Sequence, residues 1–185
     1  MRFVISLLIF VCLPAIADNS LLEKLSSKAK TIESLNGSFV QQRKITVLPL
    51  PLVSEGEFSY HHKSGMVWNT LRPVQTMVII SSQGIQMEDN ESVRKTIGSA
   101  QIAKALLGLF SGRLELLSEQ FYIEASGDIS EWQLHLTPRN KLLAAELTFI
   151  DVRGKEITES VAIADANGDS SNLTFTTHTL TFLEK

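Results

Sequence analysis

Hydrophobic positions along this chain change period several times, and each change predicts an element. Behind Ser20, with Glu23 three residues on, Leu21, Leu22, Leu25, Ala29, Ile32 and Leu35 recur at spacings of three and four. That pattern predicts an amphipathic helix opened by a capping box and ending near Asn36-Gly37. Residues 38–47 alternate imperfectly, but their β-branched end and the following Pro49 and Pro51 favour a strand running into a loop. Strands are expected at 56–61, 65–70, 75–82 and 84–88, with Gly84 supplying the turn into Ile85 and Met87. Phe58 shares a face with Tyr60, Met66 shares one with Trp68, and Met77–Ile80 is apolar on both faces. Large side chains thus converge on one sheet surface, and that surface needs a cover. The charged run 88–95 is expected as a solvated hairpin or loop.

Helical spacing returns at Ile102, Ala103, Leu106, Leu107, Leu109 and Phe110, which occupy well over half of a helical circumference before Gly112. A helix so apolar has to be buried, either as an ordinary core helix or as a plug in the concave face of an incompletely closed sheet. Strands follow at Phe121–Ala125, Glu131–Thr137, Leu142–Ile150, Lys155–Ala164 and Leu173–Thr179. They are bounded by turn chemistry at Gly127-Asp128, Pro138-Arg139-Asn140, Val152-Arg153-Gly154 and Asn167-Gly168-Asp169. Trp132, Leu134 and Leu136 alternate with polar neighbours, and Ala145, Leu147 and Phe149 alternate with Glu146, Thr148 and Ile150. One-sided burial on strand after strand argues for a mainly β fold with helices, an antiparallel sheet bending towards a barrel.

The amino terminus sets the compartment. Arg2, the apolar run Phe3–Leu13, Pro14 and the small-residue pattern Ala15-Ile16-Ala17 read as a secretory signal peptide over 1–17, with 18–185 as one domain. The apolar stretch is shorter than the ~20 residues of a membrane span. The single cysteine, Cys12, would leave with the leader, so stability has to come from a core rather than from disulfides. The formal net charge is −3, with 17 basic and 20 acidic side chains and no basic cluster, which argues against a nucleic-acid partner.

The order of helix, meander, apolar helix and meander resembles the periplasmic outer-membrane lipoprotein carrier (LolA) family. The resemblance rests on the opening helix leading to Ser38-Phe39-Val40-Gln41 and on Gly56-Glu57-Phe58 with Trp68 and Pro73 downstream. Val78-Ile79-Ile80-Ser81 before Gly84, and Leu136-Thr137-Pro138 before a further strand pair, extend it. The insertion Leu48-Pro49-Leu50-Pro51-Leu52 looks like that of a divergent branch. What the resemblance implies is a single-domain, unclosed antiparallel barrel that holds acyl chains under a helical lid and shuttles them from inner to outer membrane. It implies a monomer without cofactor, exchanging cargo with an inner-membrane exporter and an outer-membrane acceptor. On that reading Phe58, Tyr60, Met66, Trp68, Val78, Ile80, Met87, Trp132, Leu134, Leu147 and Phe149 line the cavity, with Leu106, Leu109 and Phe110 on the plug. Leu48, Leu50 and Leu52 would form a gate or docking loop.

One position departs from the family. The carriers have an arginine, followed by proline, six residues before the tryptophan, where it latches the lid; here His62 and Lys63 stand in that place. Histidine lacks the planar fork of arginine, so a latch there is weaker or pH-sensitive, and otherwise His61–Gly65 is a solvated turn. The cargo therefore stays open between lipoprotein acyl chains and another amphiphile such as a glycolipid or polyene lipid.

Enzyme signatures are missing: the chain has no Gly-x-Ser-x-Gly elbow, His-Glu-x-x-His or phosphate loop. The adjacent His61 and His62 point to opposite faces of a strand and cannot share a metal. Ser111, His135 and Asp151 could meet only by tertiary folding, and nothing in their spacing singles them out. The expectation is a carrier and not an enzyme, the alternatives being a periplasmic assembly or docking factor or an unrecognised hydrolase.

Overall fold

The computed structural model describes residues 19–81, 84–89 and 107–184. The leader expected at 1–17 and the charged run from 90 onward lie outside them. Helix α1 (Asn19–Ala29) is followed by β1 (Ile32–Lys44), β2 (Leu52–His61), β3 (Gly65–Arg72), β4 (Thr76–Ser81) and β5 (Gly84–Asp89). A buried helical turn at 107–110 and α2 (Leu114–Ser118) lead to β6 (Phe121–Asp128) and β7 (Glu131–Pro138). Then come α3 (Lys141–Ala144), β8 (Leu147–Gly154), β9 (Thr158–Asp165) and β10 (Ser170–Phe182). All pairings are antiparallel, in the spatial order β5-β4-β3-β2-β1-β10-β9-β8-β7-β6. The two end strands do not pair with each other, so the sheet curls around its core without closing.

Two hairpin meanders are thus joined by one non-local pairing. β10 returns along the whole of β1, from Ile32↔Phe182 to Lys44↔Ser170. Inward side chains from both halves form one core with the apolar face of α1, through Leu21 and Leu25, and with Leu107, Leu109 and Phe110. At the centre of β1 and β2, glycine faces aromatic across the ladder: Gly37 lies opposite Phe58, and Phe39 opposite Gly56. A Cβ on Gly56 would stand 2.7 Å from the Phe39 ring, so the missing side chain is the space the aromatic fills.

Several expected boundaries shift, each for a local reason. The opening helix ends at Ala29, and Ile32 and Leu35 belong to β1 rather than to a helix running to Asn36-Gly37. A register shift between Ile32 and Ser34 adds one residue to β1, so Ile32 and Leu35 both face inward at a spacing of three, before Leu35, Gly37 and Phe39 resume a period of two. A β-bulge thereby imitates the helical period. The strand expected from Leu142 starts only at Leu147, because the Asn140 side chain accepts from the Leu143 N–H at 2.8 Å and caps α3. A register shift between Leu147 and Phe149 in the β8–β9 pair inverts the expected alternation of β8: Ile150 and Val152 are buried, while Phe149 turns out against the His135 ring at 5.3 Å. Val152-Arg153-Gly154 is the end of that strand, not a turn, and α2 has no counterpart among the expected elements.

Candidate functional site

The inner face of β2, β3 and β4 is built as two cross-strand rows. Register pairs Phe58 with Trp68 and Trp68 with Val78, and Met87 stands next in that row by its position opposite Val78. The second row is Tyr60, Met66 and Ile80. Tyr60, Met66 and Ile80 are fully buried, whereas Trp68 and Val78 are half-buried at the margin of the core. Burial pushes the Tyr60 phenol above its usual 10.0, with Arg113 nearby drawing it partly back, so this face carries no charge at neutral pH.

Phe39, marked in the sequence only within Ser38-Phe39-Val40-Gln41, and Phe175, which does not stand out there, complete this surface. Phe39 stacks on Trp68 with centroids 3.8 Å apart. Phe175 meets Phe58, Trp68 and Phe110 edge-on at 5.5, 6.0 and 5.8 Å. Phe110 enters from the helical turn and lies parallel to Phe58, 5.6 Å away and tilted by 2°. The signal for Phe175 in the sequence is its spacing of two from Leu173, which puts both on one strand face, and its neighbours become visible only once β10 is known to pair with β1.

Helical residues 107–110 therefore cover the aromatic surface as a plug. Their exit is fixed by Gly112, whose φ of +67° suits glycine, and whose carbonyl accepts from Ser26 Oγ of α1 at 2.6 Å. A Cβ on Gly112 would meet the Ser26 carbonyl at 2.4 Å, so the plug's end sits directly on the helix. Beneath it Leu25, Ile32, Leu109, Phe110, Trp132 and Leu134 surround a cavity of ≈ 40 Å³. That space is far below the roughly 300–1,000 Å³ of a pocket for a large ligand. Beneath the plug the described residues are therefore filled, while a more open and partly polar groove of ≈ 540 Å³ lies beside α1 and α2, lined by Leu22, Glu23, Ser26, Leu114, Ile123 and Arg139.

The remaining expected positions divide by place. Trp132, Leu134 and Leu147 face the core, with the Trp132 indole donating to the Lys155 carbonyl at 2.8 Å. Leu106 lies outside the described residues. His62 and Lys63 are exposed in the β2–β3 turn, where the His62 N–H donates to the Glu33 carbonyl and the Lys63 N–H to His61 Nδ1. The bond that holds 107–112 comes from Ser26 instead. Leu48, Leu50 and Leu52 are exposed at the β1–β2 connection.

Chemically reactive clusters are sparse. His135 Nδ1 and an Asp151 carboxylate oxygen lie 2.6 Å apart on the outer face, across the sheet from the buried Trp132, Leu134 and Leu136. Ser111 is interior and already engaged, donating to the Gly108 carbonyl and accepting from Arg113 Nε, so the sheet divides these three residues. Among the described residues no three metal-ligating side chains cluster, and no helix is long and apolar enough to cross a membrane.

Known proteins share this fold. The outer-membrane lipoprotein carrier protein of Ralstonia nicotianae is 24% identical over 168 residues, covering 86% of this chain and 77% of that protein. The structure of MucB aligns with a TM-score of 0.53 at 16% identity, over 91% of this chain and 60% of that one. The Pseudomonas aeruginosa MucA/MucB complex gives 0.50 at 12% identity, over 86% and 56%. This chain thus spans less than two thirds of either MucB chain, and the likeness is one of fold. Residues 13–171 match the family model described as outer membrane lipoprotein carrier protein LolA-like. A match that takes in α1, the plug and β1 to β9 places this chain in the LolA-like outer membrane lipoprotein carrier family.

Proposed function

We propose that the protein is a periplasmic carrier that takes an acyl chain, or another amphiphile, onto the inner face of β2–β4 and moves it from the inner to the outer membrane. The observation that carries this reading is the plug: a short helical turn, buried on all sides, is the only described cover over a charge-free surface of stacked aromatics and Met66. Lifting Leu107, Leu109 and Phe110 exposes side chains worth about 1.5–3 kcal/mol each. An acyl chain laid in their place returns about 0.8 kcal/mol per methylene. Ten methylenes therefore offset three plug side chains to within a few kcal/mol, and a near balance is what reversible loading needs. Methionine at the centre suits a site that must repack, because its unbranched side chain adapts to either occupant.

Phe58, Tyr60, Trp68 and Val78 are the proposed contacts on the sheet, with Phe110 as the side chain that gives way. The test is native mass spectrometry, with lipid extraction, of protein purified from its native compartment. Retained amphiphile at one per chain is the expected result, and its mass separates lipoprotein acyl chains from a free lipid. Protein that emerges bare, and stays bare after incubation with detergent-dispersed lipid, overturns the reading.

A further inference from the structure

The register places four connections at one end of the sheet. Lys44 pairs with Ser170, Glu55 with Arg72, Leu147 with Asp165 and Phe121 with Pro138. The β1–β2 loop, the β3–β4 turn, the β9–β10 turn and α3 therefore share this rim. Three of them present apolar tips: Val47 is 86% exposed, Leu50 74%, Val74 68% and Leu142 87%, with Leu48 and Leu52 beside them. At the opposite rim the exposed apolar residues are Ile129, Phe182 and Leu183, none more than half exposed. Sequence alone shows the first loop; only the topology brings Val74 and Leu142 to it.

Charge and backbone chemistry name the occupant. Residues 44–54, 71–76 and 138–145 contain no aspartate or glutamate, and their charges are Lys44, Arg72, Arg139 and Lys141, on a chain whose net charge is negative. The acidic groups nearby are engaged, Glu55 by Arg72 and both Asp165 and Asp169 by Arg43, or, as Glu119, Glu146 and the β5 end Glu88-Asp89 opposite Met77 and Thr76, lie outside the three segments. The β1–β2 tip is also poor in unmet donors. The Thr46 N–H is bonded to Asp169, the Leu48 N–H to the Ile45 carbonyl, and Pro49 and Pro51 have no N–H at all. Only the Val47 and Leu50 N–H groups of this tip are left to satisfy, so placing it at an acyl boundary costs less than placing an ordinary loop there. Separate convex tips offer no groove to a folded partner, whereas a bilayer conforms to any shape.

We propose that this rim is a membrane-docking surface, its aliphatic tips entering the acyl boundary and its cations resting among anionic headgroups. Docking deepens the carrier reading, since cargo must be exchanged at membranes, but its test does not depend on whether amphiphile is retained. In flotation with phosphatidylethanolamine vesicles containing phosphatidylglycerol, the protein should rise with the vesicles at low salt. The triple variant Leu48→Ser, Leu50→Ser, Val74→Ser should bind at least about tenfold more weakly, because it removes inserted methyl groups. Lys44→Gln with Lys141→Gln should cost about fivefold per cation on anionic vesicles and leave binding to neutral ones unchanged. Ile129→Ser, on the opposite rim, should float like the unaltered protein. Flotation of the triple variant at the unaltered level, or of no variant with any vesicle, overturns the proposal. So does a concentration-dependent dimer abolished by the triple variant, which would give the rim to a second copy of the chain.

Discussion

Asp169 ties the exposed β1–β2 loop to the body of the protein. One carboxylate oxygen accepts the Thr46 N–H at 2.9 Å and the Thr46 hydroxyl at 3.1 Å, while the other accepts from the Asn167 amide at 3.2 Å. The Thr46 backbone bond leads the effects that hold this carboxyl below its usual 3.8. Asp165, close by, is displaced the other way: burial raises it, Arg43 partly counters, and the charge of Asp169 raises it again. The signs decide the pH response. A depressed carboxylate stabilises the fold above its unfolded pKa, and that contribution is lost as pH falls through the folded value. A raised one does the reverse, so mild acidification relieves Asp165 before it releases Asp169. Hydrogen-exchange protection at the Thr46 amide should therefore persist through mild acid and fall only below pH 3.8. In Asp169→Ala the same amide should lose about tenfold of its protection at neutral pH, the worth of one charge-assisted hydrogen bond. Unchanged protection at Thr46 would mean that the loop is held by something other than this carboxylate.

Between elements, the contact that matters most is the seat of the plug on α1. The Ser26 hydroxyl donates to the Gly112 carbonyl at the point where 107–110 leaves the core, and the backbones there are too close for any side chain on residue 112. Ser26→Ala deletes a neutral hydrogen bond worth about 1 kcal/mol. Stopped-flow uptake of a fluorescent fatty acid should speed up about fivefold, with little change in melting temperature. A variant that melts earlier yet loads at the unaltered rate would show that α1 does not govern the plug. How much of this was readable from the chain depends on how local each cause is. The rows on β2–β4 follow from a strict period of two, and the plug from residues 107–110 being apolar all round. β1 misleads because a bulge at Glu33 gives Ile32 and Leu35 helical spacing, and Phe149 misleads because a bulge at Thr148 reverses its face. Ser26, Phe39 and Phe175 join the site only through partners dozens of residues away, which no pattern in their own neighbourhood encodes.

At the scale of the whole molecule, the same observation supports two incompatible states. A cavity of ≈ 40 Å³ and a parallel Phe58–Phe110 stack describe an aromatic face with no room for cargo beneath the plug. The sheet's unpaired ends and the plug's single described bond to α1 describe one that can make room. If 107–110 is a lid, the empty protein is stabilised by its own plug, and any loss of plug packing must appear as tighter cargo binding, because loading no longer has to displace it. Phe110→Ala isolates this. The truncation should destabilise the empty protein by about 3–5 kcal/mol, as aromatic-to-alanine changes in a core do. Amphiphile should then bind at least about tenfold more tightly, and saturating amphiphile should recover most of the lost melting temperature. Static core predicts the same initial loss but neither the affinity gain nor the recovery. A Phe110→Ala protein that is merely less stable, with unchanged affinity, would leave the aromatic surface permanently covered and remove the basis for loading at this face.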